Sequence, residues 1–360
     1  MAQADTRPVG AEDVERIREL RRRASERGRW RAVEEAFEAG LRNHWYALVP
    51  SSALAGANPF ALRRMGEDLV LWRDATGALH LFVDSCAHRG ARLSLGAVVE
   101  DRLCCCYHGW AYDGTGQCVA IPSEGGACEL AREARVRSYP VEEHGGLIFG
   151  YFDDDGRSPH RDCPNPVELE SPEWSGFIVP HEWHGVGWFR VLENLVDPIH
   201  APFLHAGTYT MGHGALQDVI SVEDRPDGLF VKREGQELVS FDYSTYHFPN
   251  WCEVDVPYPW SAGPGGVMRV LVFVTPIDGD ATQVYMVRKR RITGWKWWIW
   301  WSLWHLRLRR KMYDVLDGDE AALTSQRGRS ALESEFLAQS DLGIVRMRRL
   351  FADAHERRAR

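Results

Sequence analysis

The sequence predicts an α+β protein of two domains: a small all-β domain first, then a larger one in which an antiparallel sheet is bracketed by helices. Three observations carry this prediction. From His44 the chain breaks into short β-rich runs divided by Gly, Asp and Pro. The stretch DDDGRSPHRDCPNP at 153–166, polar and holding three prolines, marks a boundary. Beyond it the order is helix, strands, helices, which is that of an α+β domain.

At 360 residues the chain is long enough for two domains with separate cores. Residues 1–43 read as a charged helical lead-in, with Val14, Ile17, Leu20, Trp30, Val33 and Phe37 at helical spacing. Residues 44–155 form the β domain. In LVLWRDATGALHLFVD, the segment from Asp74 to Gly77 is a hairpin turn between two strands. The second domain, 156–360, begins with a helix over 191–206. It continues with strands in LFVKREG, LVSFDYSTYHF, VMRVLVFVTPI and QVYMVRKRRI, and ends in helices around 297–325 and 330–357. No internal repeat is present.

Forty-three basic residues against 51 acidic ones give no positive field for nucleic acid. The N-terminus lacks the basic start and apolar run of a secretory signal, so a cytoplasmic protein is expected. In a reducing compartment its eight cysteines point to metal or redox chemistry rather than disulfides. The most apolar stretch, GWKWWIWWSLWHLRLRR at 294–310, has an uncharged core from Trp297 to Trp304. That core is far short of the roughly 20 residues a bilayer span needs. Trp with Arg suits a membrane interface, but a helix packed in the core or along a substrate channel is the expectation, and membrane contact is not expected.

Two short Cys/His pairs stand out: Cys86-x-His88 in DSCAHRGA, and Cys105-x-x-His108 in CCCYHGW. Two thiolates and two imidazoles suit a tetrahedral zinc or a Rieske-type 2Fe-2S cluster, with two Cys on one iron and two His on the other. Each loop supplies one Cys and one His, and this mixed pairing favours the cluster. Cys104 and Cys106 read as buried packing residues on a strand, facing away from Cys105. Cys118, Cys128, Cys163 and Cys252 have no Cys or His at ligand spacing and read as packing too.

The pattern CxHRG followed by CxxHGWxYDxxGxC resembles the Rieske domain of ring-hydroxylating and related non-haem iron oxygenases. The likeness covers about 44–155 and extends to the entry strand NHWYALVP. It implies that Cys86, His88, Cys105 and His108 hold one 2Fe-2S cluster per chain. Respiratory Rieske proteins carry an extra, disulfide-linked cysteine in each loop; the corresponding residues here are Ala91 and Tyr107. Their hydroxyl donor to a cluster sulfide is replaced by Trp110, which implies a low potential.

In LENLVDPIHAPFLH, Asp197 precedes His200 by three and His205 by eight. On a helix bending after Pro202 both imidazoles can face one point beside a carboxylate, the donor set of non-haem Fe(II) oxygenases. ENLxDxxHxxxxH resembles the mononuclear-iron motif of the same oxygenases, in the form of their vanillate demethylase and chlorophyllide a oxygenase side. By that resemblance one Fe(II) per chain is held by His200 and His205. Asp197 is then a bridge that holds His200 and reaches His108 of the partner subunit in a head-to-tail homotrimer. The third ligand must be a downstream carboxylate. MYDVLDGDEAALTSQRGR resembles the family's late helix, in which an Asp precedes a Gln by seven, and this selects Asp319 over Asp314 and Asp317.

The resemblance implies a helix-grip-like catalytic domain and a terminal oxygenase, whether mono- or dioxygenase, that uses O2 to hydroxylate, demethylate or oxidatively cyclise a small molecule. With no GxGxxG fingerprint or flavin segment in the chain, electrons are expected from NAD(P)H through a separate reductase or ferredoxin. Phe241, Tyr243, Tyr246, Phe248 and Trp251 suggest a pocket for a bulky apolar or aromatic substrate. Two alternatives predict different metal contents: a Rieske electron-transfer protein with a vestigial second iron site, and a zinc-binding interaction module.

Overall fold

A computed structural model describes residues 27–359, apart from 55, 57, 126, 155–160, 209–210, 261–263 and 327–334. Residues 1–26 of the expected helical lead-in at 1–43 therefore lie outside the described residues. The chain divides into two compact units. One comprises Ala39–Glu170 with Thr275–Gly279; the other comprises Met1–Glu38, Ser171–Val274 and Asp280–Arg360. The boundaries thus fall at 38/39 and 170/171, a few residues from the expected 43/44 and well beyond 155/156.

Among the described residues the first unit is built from eleven short strands in three antiparallel sheets. Strands β1 (His44–Pro50), β10 (Val141–His144) and β11 (Leu147–Phe152) form one, in the order β1-β11-β10. β2 (Phe60–Arg64), β3 (Glu67–Arg73), β4 (Leu79–Val83) and β9 (Ser138–Tyr139) form the second. β5 (Ala97–Val99), β6 (Arg102–Cys104), β7 (Ala111–Tyr112) and β8 (Cys118–Ala120) form the third. The hairpin turn at Asp74 is as expected. Asp74 Oδ1 accepts the backbone N–H groups of Thr76 and Ala78, and Gly77 takes a φ of +88° that a side chain would resist. A core of Val70, Trp72, Phe82, Leu93, Leu103 and Tyr112 encloses Cys86 and Cys105.

The second unit holds a seven-stranded antiparallel sheet in the order β12-β18-β17-β16-β15-β14-β13. Its strands are β12 (Ser175–His184), β13 (Ile220–Arg225), β14 (Gly228–Arg233), β15 (Tyr243–His247), β16 (Trp251–Tyr258), β17 (Gly266–Pro276) and β18 (Ala281–Arg290). Four were expected; β12, β13 and β16 were not. β12 contains Pro180, which a sheet tolerates on an edge strand, and β12 is an edge. β16 carries a plain signal, since Cys252, Val254, Val256 and Tyr258 are buried and alternate with less buried residues.

Helix α1 (Arg27–Ala36) belongs to this unit, with α2 (Trp188–Leu195) and α3 (Ala201–Leu204). Later come α4 (Trp295–Leu303), a π-helical turn (Trp304–Leu308), α5 (Arg309–Thr324) and α6 (Leu342–Ala359). α6 packs on β13, β14, α1 and α2. Phe351 meets Trp188 edge-on at 5.4 Å and Phe189 at 4.8 Å, and the Trp188 indole N–H donates to Phe37 O. A largely buried ion network ties the same helices: Arg348 bonds Glu193 and Glu335, and Arg190 bonds both of those carboxylates.

Two expectations need correction. The helix predicted over 191–206 is two short helices separated at Val196–His200, because Asp197 precedes Pro198 and a residue before proline is driven out of helical conformation. Asp197 instead closes a turn, its Oδ1 accepting the Ile199 N–H at 2.9 Å. The Trp-rich helix is packed in the core only along one stripe. Trp300 and Trp304 are buried, while Trp295, Trp298, Ile299, Trp301 and Leu306 are exposed.

Candidate metal centres

Two loops in the first unit present the Cys/His pairs, and they share a local design. Gly90 and Gly109, each four residues after its cysteine, adopt φ values of +73° and +72°. Each donates its N–H to the cysteine carbonyl, at 2.8 Å for Gly90 to Cys86 and 3.0 Å for Gly109 to Cys105. Only glycine reaches that conformation freely, so the glycine in each motif closes the turn that carries a ligand pair. Cys86 and Cys105 are buried, whereas His88 and His108 are exposed. The His88 and His108 Nδ1 atoms converge to 3.1 Å.

Burial, with Cys105 beside it, pushes the Cys86 thiol above its ordinary range. Two buried thiols set behind two converging, solvent-facing imidazole nitrogens fit a 2Fe-2S cluster with one all-sulfur and one imidazole-bearing iron. The indole of Trp110 stacks on the His88 ring at 4.7 Å and 3° and holds its plane. One partner was missed from the sequence: the Tyr112 hydroxyl lies 3.1 Å from Cys86 Sγ and 3.1 Å from the Ala87 amide nitrogen. A phenolic hydroxyl thus stands beside the Cys86 sulfur, although position 110 carries an indole. Cys106 corrects the packing expectation. The strand ends at Cys104, so Cys106 lies in the turn and is exposed, and Cys104 is only partly buried.

In the second unit, His200, His205 and Asp319 bring one ligand atom each within 4.8 Å of one another. His200 and His205 flank the four-residue helix α3 at its two ends. Asp319 comes from α5, where it shares the inward stripe of Met312, Val315, Leu316 and Leu323. Its Oδ1 is 3.1 Å from His205 Nε2 and 3.7 Å from His200 Nε2. The Asn194 side-chain amide approaches the same oxygen at 3.4 Å.

His200 Nδ1 lies 2.5 Å from the Asp197 carbonyl oxygen, so Nδ1 carries the proton and the Nε2 lone pair faces Asp319. Burial disfavours the His200 cation, but Asp197 and Asp319 outweigh it and raise its pKa above the ordinary value. Two imidazole nitrogens and one carboxylate, all largely buried, suit a divalent iron with coordination positions left open. The rival Asp317 is exposed and engages His181 at 3.5 Å, where Glu320 also bonds at 3.2 Å. Asp314 is exposed at the cavity rim. The structure also brings Cys163 beside Glu142 and His144, a proximity that sequence spacing does not reveal.

A cavity of about 330 Å³ in the second unit is lined by His200, His205 and Asp319. Of the five aromatic residues expected around a pocket, only Phe241 lines it. Tyr246 is core and bonds Pro249 O, Tyr243 bonds Asp255, Phe248 packs on Phe351, and Trp251 stacks on His247. The walls are instead Val254, Val256, Val270, Val272, Met268 and Met286, all from β16, β17 and β18. Arg288 also faces the cavity. Burial pushes its guanidinium down to about 10, with Tyr258 and Arg290 beside it. Among the described residues no carboxylate pairs with it, and its Nε contacts Met268 Sδ at 3.2 Å.

Comparison with known proteins follows the same division. The family model of the Rieske [2Fe-2S] domain matches residues 44–140, and that of the vanillate O-demethylase oxygenase C-terminal domain matches 185–357. Chlorophyllide a oxygenase of Chlamydomonas reinhardtii is 34% identical over 206 residues, 55% of this chain and 30% of that protein. The 5,5'-dehydrodivanillate O-demethylase oxygenase subunit of Sphingobium sp. is 33% identical over 176 residues, 46% of this chain and 39% of that one. The matches thus span well under two thirds of these relatives' length. The fold is shared with the Pseudomonas putida CBB5 NdmA QL mutant solved with caffeine, at TM-score 0.73 and 23% identity over 88% of this chain and 92% of that one. Dicamba monooxygenase bound to dicamba gives 0.69 and 21%, over 88% and 98%. Among the described residues no helix is long and apolar enough to cross a membrane. The chain therefore joins an all-β Rieske [2Fe-2S] domain to an α+β domain of the vanillate O-demethylase oxygenase C-terminal type, the domain pair of Rieske-type oxygenases.

Proposed function

We propose that the chain is a terminal oxygenase component that hydroxylates or demethylates an apolar or aromatic small molecule bearing an anionic group. The observation that carries this reading is the convergence of His200, His205 and Asp319 on the wall of an apolar cavity. A protein that only relays electrons has no use for a donor triad opening into such a space. When bound, the cluster supplies single electrons and the mononuclear iron binds and reduces O2. Cys86, Cys105, His88 and His108 would hold the first group, and His200, His205 and Asp319 the second.

The chain's own residues then do the positioning. Asp197, through its carbonyl, fixes the His200 tautomer, and Asn194 steadies the Asp319 carboxylate. The valine and methionine walls exclude water, and Arg288 orients an acidic substrate group, because a buried cation without a counter-ion is costly until a ligand supplies one. Small quaternary cations are disfavoured by the same residue. In a head-to-tail homotrimer, the carboxylate of Asp197 would face the exposed His108 of the partner subunit, and electrons would arrive from NAD(P)H through a separate reductase or ferredoxin. Eight free cysteines suit a cytoplasmic setting.

The test is O2 uptake by purified protein with a surrogate NAD(P)H reductase and ferredoxin, across apolar and aromatic acids and their neutral isosteres. Substrate-dependent uptake matched by oxygenated product is expected, with acids preferred. Full reduction of the cluster without substrate-stimulated uptake from any of them would overturn the reading.

A further inference from the structure

We propose that the outer face of α4 and the following π turn is a docking surface for an anionic lipid membrane. This rests on the surface alone and is independent of the proposed chemistry. The helix is apolar on both sides. Its inner stripe is satisfied: Trp304 stacks on Phe177 at 4.6 Å and 9°, Trp300 meets the same ring edge-on at 5.0 Å, and the Arg290 guanidinium lies over Trp300 at 5.2 Å. That packing fixes the helix on the sheet and leaves its other side outward.

The outward side is bulky and uncovered. Trp295 is 68% exposed, Trp298 63%, Ile299 41%, Trp301 40% and Leu306 84%. At 100° per residue Trp295, Trp298, Ile299 and Trp301 fall within less than half the circumference of α4, and Leu306 follows on the π turn. A concentrated apolar patch of this kind marks an interaction site rather than a scatter of surface residues.

Charge identifies the partner. From Gly294 to Tyr313 the chain has five Lys and Arg residues and no Asp or Glu, although the whole protein carries a net charge of −8. Lys296, Arg307, Arg309, Arg310 and Lys311 are exposed in the same segment. Indole rings settle at the boundary between headgroups and acyl chains, and flanking cations bind anionic headgroups. Protein–protein interfaces are depleted in lysine, and this segment exposes Lys296 and Lys311 with no acidic residue beside them in the chain. The helix is too short to cross a bilayer. One turn later, Leu308, Lys311 and Met312 line the cavity, so docking here would bring the cavity wall near a lipid phase.

The test is flotation of the purified full-length protein with vesicles of phosphatidylcholine containing about one-third phosphatidylglycerol, against phosphatidylcholine alone. Flotation with the anionic vesicles, weakened by high salt, is expected, together with quenching of tryptophan emission by brominated lipid. The triple substitution Trp298→Gln, Ile299→Gln and Leu306→Gln should abolish flotation. Arg309→Gln and Arg310→Gln should each weaken it about fivefold, from the worth of one cation near an anionic surface. Wild-type protein that neither floats nor is quenched would overturn the proposal, whatever the variants do. Loss of the solution oligomer in the triple variant, without vesicle binding by the wild type, would assign the face to a contact between copies of the chain.

Discussion

Substituting Tyr112→Phe should lower the reduction potential of the cluster by about 40 mV. Tyr112 is fully buried, and its hydroxyl stands 3.1 Å from Cys86 Sγ. Burial, with the Cys86 sulfur beside it, pushes the phenol far above its ordinary range, so the group stays protonated and donates. A hydrogen bond to a charged acceptor is worth about 1.5–3 kcal/mol. The reduced cluster carries one more negative charge, so the bond favours that state; if a third to a half of its worth is differential, about 1 kcal/mol is lost, or about 40 mV for one electron. The ring has no other polar role except accepting the Ala87 N–H, so packing is retained at a stability cost of about 1–2 kcal/mol. The assay is a redox titration followed by the resonance of the reduced cluster, with acid-labile sulfide confirming occupancy. An unchanged or raised potential in a fully loaded variant would refute the reasoning.

Further outcomes follow from the same geometry. Asp319→Asn should weaken the mononuclear iron by at least about 100-fold while sparing the cluster, since loss of an outer partner alone costs about 10–100-fold; Asp317→Asn, with its carboxylate on His181, should keep both, as metal analysis would show. Asp197→Ala should leave the cluster spectrum intact and abolish coupled turnover; normal turnover would remove Asp197 from the electron route. Glu34, buried near Glu193, has its carboxyl pushed up to about 7, with Arg190 and Arg348 only partly offsetting. The folded state therefore holds a proton that the unfolded chain releases above its ordinary value of 4.5, so stability should fall as pH rises from about 4.5 to 7 and level off above. Glu34→Gln should flatten that slope and add about 1–3 kcal/mol at pH 8, measured by denaturant unfolding.

Much of the candidate site was legible because its proposed ligands are local in sequence. Cys86 with His88, Cys105 with His108, and His200 with His205 sit within a few residues of each other, so two loops and one bend suffice to aim them. Asp319 required more. Three aspartates compete within six residues, and the helical stripe through Met312, Leu316 and Leu323, which favours Asp319, is visible in the sequence once α5 is given its phase. Tyr112 could not be paired with Cys86 from spacing, because the contact depends on the loop after β4 packing against β7 of another sheet, which brings residues 26 apart together. The pocket failed for a related reason. Period-two alternation says that one face of β15 or β16 is buried, but not whether it faces solid core or an open cavity, so Tyr246 and Trp251 were misplaced while Val254 and Val256 were overlooked. The Trp-rich helix was expected in the core or along a substrate channel; among the described residues Trp300 and Trp304 are buried and Leu308 of the next turn lines the cavity, while the apolar composition of the whole helix did not reveal which stripe would stay exposed.

The central claim is that one chain carries two different iron sites, and the most direct measurement is iron and acid-labile sulfide per chain in freshly purified protein. The account predicts about three irons and about two sulfides, with the rhombic signal of a reduced Rieske cluster. About two irons with about two sulfides would leave the His200, His205 and Asp319 site empty and contradict it, as would zinc in place of the cluster.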